Sequence, residues 1–79
     1  KNNSEAWYEY GFANEKLLNL DIALKSYKKS ISIDKNNSDS LFRSALIHHK
    51  NGNLSTAKKI QKDLFLINEA KSLELEGLL

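Results

Sequence analysis

Apolar residues recur at helical spacing in successive stretches of this chain, each closed by a short polar break. Trp7, Tyr10, Phe12, Ala13 and Leu17 fall near helical spacing in a helix predicted over residues 5–17. Ala23, Leu24, Tyr27 and Ile31 do the same over 21–33, and a third helix is predicted over 39–50. A fourth, over 55–67, carries Ala57, Ile60, Leu64, Phe65 and Ile67. The segment 68–79 also reads as helical, with Leu73, Leu75, Leu78 and Leu79. No stretch alternates with period two, so strands are not expected. The breaks carry start and stop chemistry. Asn3 or Ser4 is placed to cap the first helix, Asp21 the second, and Asn37 or Ser38 the third. Asn51-Gly52-Asn53 is the strongest turn, with Gly52 suited to the left-handed conformation that ends a helix.

The pattern is itself repeated. Lys1-Asn2-Asn3-Ser4 returns as Lys35-Asn36-Asn37-Ser38, an offset of 34 residues. At that offset Lys16 meets Lys50, Asn19 meets Asn53, Leu20 meets Leu54, Ala23 meets Ala57 and Ile33 meets Ile67. A fixed period of this size means a stack of supersecondary units, and such stacks act by presenting a surface. The expected fold is all-α, built of antiparallel helix-turn-helix hairpins. One repeat covers 4–37, a second 38–71, and 72–79 either caps the stack or opens a third repeat.

Composition narrows the classes. The 79 residues allow one small domain, and the absence of cysteine removes disulfides and thiolate metal sites. A net charge of +2 is too mild to argue for nucleic acid or membrane. No apolar run approaches the roughly 18 residues of a membrane-spanning helix. The chain starts at Lys1 and contains no methionine, as expected of a piece of a longer protein. The compartment is left open, with the cytoplasm ahead.

The period and the residues within it resemble the tetratricopeptide repeat (TPR), whose pattern is W-x2-L-G-x2-Y, then A-x3-F, then P. Trp7, Tyr10 and Gly11 match the opening with Tyr for Leu, and Ala23 and Tyr27 match A-x3-F with an aromatic swap. In the second copy Leu41, Ser44 and Ala45 stand where Trp, Leu and Gly stand in the pattern, and Gln61 replaces the later aromatic. Asn14 and His48 replace the Tyr, and Lys35 and Glu69 replace the Pro. Small residues at Gly11, Ala45, Ala23 and Ala57 suit close helix approach, while Trp7 and Tyr27 are expected to fill the space between hairpins.

The resemblance implies a short right-handed superhelical array of two repeats plus a C-terminal helix. It also implies a non-catalytic module that binds a partner peptide or helix in a concave groove lined by the first helix of each pair. By alignment to the family, Tyr8, Glu9, Phe12 and Lys16 face that groove from the first repeat, with Glu5 and Glu15 beside them. Phe42, Arg43, Leu46, His49 and Lys50 face it from the second, with Asp39. Tyr8 and Phe42 are equivalent, as are Phe12 and Leu46, so an apolar stripe crosses two helices. Soluble proteins seldom leave such a stripe without a use. The stripe is expected to take apolar side chains of a partner, or else to be covered by a neighbouring repeat, the tail helix or a second chain. Tyr8 and Phe12 stand where chaperone-tail-binding members want Lys and Asn, which speaks against that ligand. Arg43 is expected to pair with Glu9 or Asp39.

Two other readings stay open. An uncovered last helix with Leu75, Leu78 and Leu79 would favour self-association or packing onto a larger chain. Lys25, Lys28 and Lys29 with Lys58, Lys59 and Lys62 would form a basic ridge able to meet nucleic acid or anionic lipid, though a Lys stripe is usually just a solvated helix face. No metal or other cofactor is expected: His48 and His49 are adjacent and point about 100° apart on a helix. No nucleophile elbow or phosphate loop is present, so no catalytic residue is assigned.

Overall fold

The computed structural model describes residues 3–79, which form α1 (Asn3–Lys16), α2 (Leu20–Ile33), α3 (Ser38–Lys50), α4 (Leu54–Ile67) and α5 (Glu69–Leu78). Lys1 and Asn2, read as the start of the first polar linker, lie outside the described residues. α1 and α2 pack as one hairpin and α3 and α4 as the next. α3 also packs on α2, and α5 closes against α4 and α3. The all-α hairpin array expected from the periodicity is the fold observed, with no strand among the described residues.

Both hairpin turns close by the same device. After α3, the Gly52 N–H donates to the His49 carbonyl at 3.0 Å and the Asn53 N–H to the His48 carbonyl at 2.8 Å. This is a Schellman closure, in which a left-handed residue turns the last orphan carbonyls onto the following N–H groups. Gly52 has φ +82°. The same pair of bonds recurs in the first hairpin, from Leu18 to Glu15 at 2.9 Å and from Asn19 to Asn14 at 2.8 Å. There the left-handed residue is Leu18, at φ +65°, where its Cβ crowds the backbone.

The helix starts correct several expectations. Asn37 does cap α3, its Oδ1 accepting from the Ser40 N–H at 3.1 Å. Asn68 caps α5 in the same way through the Lys71 N–H at 3.0 Å. Asp21 is not a cap: α2 begins one residue earlier, and Asp21 sits in its first turn, where its charge meets the positive end of the dipole. Asn3 and Ser4 are not caps either, because both lie inside α1 and Ser4 is fully buried. The Ser4 hydroxyl instead belongs to a polar knot that ties the open end of the first hairpin, α1 to α2, and meets the start of α3 through Asn37 and Ser40. It donates to the Ser30 carbonyl at 2.9 Å, while the Ser30 hydroxyl donates to the Ser4 carbonyl at 2.8 Å. Asn37 Nδ2 donates to both hydroxyls, at 2.9 and 3.1 Å, and the Ser40 hydroxyl lies 2.7 Å from that of Ser30. Every buried side-chain polar atom described is satisfied, as buried polar groups must be.

Two apolar clusters form the core. Ala23, Tyr27 and Ile47 are packed by Tyr8, Leu20 and Leu24; Leu41, Phe42, Ala45, Leu64 and Leu75 are packed by Ile31, Leu46 and Ile60. Gly11 is small for a visible reason. A Cβ there would lie 2.8 Å from Tyr27 Cε1 and 3.1 Å from Ser26 Cβ, so α1 and α2 approach only without it. Trp7 departs from its expected role between hairpins. It is 37% exposed on the outer side of α1, edge-on to Tyr10 with centroids 6.1 Å apart, whereas its equivalent Leu41 is buried. Leu41 has the first hairpin to pack on; no described helix lies in the corresponding place against Trp7.

Candidate functional site

α1 and α3 approach one another as the first helices of their hairpins. On α1, Tyr8 and Phe12 are one turn apart, half-buried, with rings stacked at 6.0 Å and 16°. Tyr8 also lies over Tyr27 at 5.8 Å, which fixes the pair on the core. Two cations sit above Phe12: Lys16 Nζ at 5.0 Å and the Arg43 guanidinium at 5.3 Å from the centroid. Glu9 and Lys16 are exposed. On α3, Leu46 and His49 are half-buried and Lys50 is exposed. Phe42 is only 6% exposed, with Lys71 of α5 placed 5.0 Å over its ring and 3.2 Å from Asp39. At Phe42, then, the tail helix covers the stripe, while Tyr8, Phe12 and Leu46 keep part of their surface.

Arg43 corrects a second expectation. Its partner is neither Glu9 nor Asp39 but Glu15, across the gap between α1 and α3. Nη2 donates to Glu15 Oε2 at 2.6 Å and Nε to Oε1 at 3.1 Å, a two-pronged pair. The Tyr27 hydroxyl donates to the same Oε1 at 2.7 Å. Asp39 is taken by Lys71. Burial pushes the Glu15 carboxyl up, but the hydrogen bonds from Arg43 and Tyr27, with the charges of Arg43 and Lys50, outweigh it and hold the group below the usual carboxylate range. Burial and the bond to Glu15 push the Tyr27 phenol far up, so it stays a donor. The bond to Glu15 raises Arg43 despite the opposing effect of burial.

Tyr27 thus stays in the core, as expected, but its hydroxyl reaches out to Glu15 and gives that carboxylate an anchoring part. A signal for this contact was present. Tyr27 packs on Gly11, and Glu15 lies one turn beyond Gly11 on the same helix, so the phenol that leaves the core meets that carboxylate.

Among the described residues no group of three or more His, Cys, Asp or Glu is arranged to hold a metal ion, and no helix is long and apolar enough to cross a membrane. What the geometry defines is a helical-hairpin repeat with a cation-rimmed aromatic face on its first helices. Two family models, both described as tetratricopeptide repeat, match residues 4–37 and 26–59. Together they span α1 to the first turns of α4, in two frames of one period. The chain belongs to the tetratricopeptide repeat family. Repeats of this family are generally protein–protein interaction modules and typically non-catalytic scaffolds. No curated protein matches the chain.

Proposed function

We propose that this chain is a non-catalytic binding module whose partner peptide or helix lies along the face made by Tyr8, Phe12, Lys16, Arg43, Leu46, His49 and Lys50. The observation that carries the reading is the Tyr8–Phe12 stack, two aromatic rings left half-open, with Lys16 and Arg43 over the Phe12 ring. Rigid, partly open aromatics flanked by an Arg held in place are the composition of interface hot spots. Phe42 and Glu9 frame this surface, Phe42 through the Lys71 ammonium above it. The 4–37 and 38–71 repeats each supply one wall.

The test is a peptide selected from a displayed random library on the immobilised chain. Phe12→Ala should weaken its binding at least tenfold, about 1.4 kcal/mol or more, while circular dichroism stays helical. Unchanged affinity in Phe12→Ala and in Lys16→Ala would remove the assignment.

A second reading has its own observation. Trp7 and Tyr10 at one end, and Phe65 and Leu73 at the other, are 37–53% exposed. Such faces favour packing on further helices, from a longer chain or a second copy. Sedimentation at high concentration should then show self-association; a strict monomer argues against the second-copy form.

A further inference from the structure

α2 and α4 both pack on α3 but not on one another. The gap between them is a cleft of about 400 Å3, on the side of α3 opposite Leu46 by helical geometry. Its walls are Leu24 and Ile31 from α2 and Ile60 from α4; its floor is Ser44 and His48 of α3. Ser44 explains why the cleft is open. One period away on either side stand Tyr10 and Leu78, side chains large enough to fill such a gap. The Ser44 hydroxyl is bonded within its own helix, to the Leu41 carbonyl at 3.1 Å, so it does not compete for a ligand. Lys25 and Lys28, at adjacent places on one face of α2, also line the cleft. Neither has a carboxylate within ion-pair distance among the described residues.

We propose that this cleft binds an alkyl carboxylate, its tail between α2 and α4 and its carboxylate between Lys25 and Lys28. The volume falls at the small end of the roughly 300–1,000 Å3 of ligand pockets, which suits a single medium-length chain. Apolar walls reward the tail, and two unpaired ammonium groups at the mouth select the anion over a neutral head. The site is independent of the Tyr8–Phe12 face and stands or falls apart from it.

The experiment is an amide NMR titration of the chain with decanoate below its micellar concentration, with decanol and acetate as controls. Decanoate should shift Lys25, Lys28, Ser44 and Ile60 in a saturable way. Decanol should bind there about fivefold more weakly, as expected for losing an exposed charge pair, and acetate should not bind. Lys25→Gln with Lys28→Gln should bring decanoate down to the affinity of decanol. Ser44→Leu should abolish binding of both with helicity retained. Absence of saturable shifts at the cleft, or decanoate affinity unchanged in the double Gln variant, would overturn the proposal; the exposed lysine changes keep the test valid should Ser44→Leu not fold.

Discussion

At the residue scale, the two copies of the period act as controls for each other. Leu18 and Gly52 close equivalent turns with equivalent bonds, yet only Gly52 is free of the left-handed penalty. Leu18 is 81% exposed, so removing its side chain forfeits little packing. Leu18→Gly should stabilise the fold by about 0.5–1 kcal/mol, the relief of Cβ strain less the added entropy of the unfolded chain. Urea unfolding measures it, and a loss of stability would show that the leucine packs in a way its exposure does not reveal. Glu15 supplies a pH dependence. Its carboxyl is held below its ordinary value of about 4.3, so its stabilisation is complete above that pH and is lost as the pH falls through the depressed folded value. Glu15→Gln should remove that part of the acid sensitivity while the bond from Tyr27 remains possible. Thermal melts from pH 7 to 3 compare the two, and identical slopes would contradict the account.

At the element scale, the joints between hairpins differ. The first is polar, built on Ser4, Ser30, Asn37 and Ser40. In the second, Leu64 stands where Ser30 stands in the first, and it is fully buried in the core with Leu75. Ser30→Ala would leave the Ser4 carbonyl, Asn37 and the Ser40 hydroxyl short of a partner. It should cost about 1–3 kcal/mol, whereas an exposed serine such as Ser32 should tolerate alanine within about 0.5 kcal/mol. Chemical denaturation of both variants decides, and equal effects would mean the knot adds nothing. The helices themselves were legible in the sequence, because their apolar spacing and the polar breaks Asn51-Gly52-Asn53 and Asn36-Asn37 leave few alternatives. The caps were less so. Ser4 looks like an N-cap in isolation, and only contacts 26 and 33 residues away, to Ser30 and Asn37, assign it to the joint.

At the scale of the whole molecule, the period announces the architecture but not which positions remain open. Trp7 was legible as a large apolar residue in register with Leu41, but its exposure depends on what lies beside α1, which no local pattern encodes. Phe42 looked equivalent to Tyr8, but α5 lays Lys71 across it. Arg43 found Glu15 because Tyr27 holds that carboxylate in place, a three-helix arrangement beyond any pairwise spacing rule. These long-range contacts narrow the proposed surface to the Tyr8–Phe12 side. The most direct measurement is amide NMR mapping of the chain with a library-selected peptide. The account predicts shifts centred on Tyr8, Phe12, Arg43, Leu46 and His49. Shifts centred instead on the outer faces of α2 and α4, with the α1–α3 face silent, would contradict it.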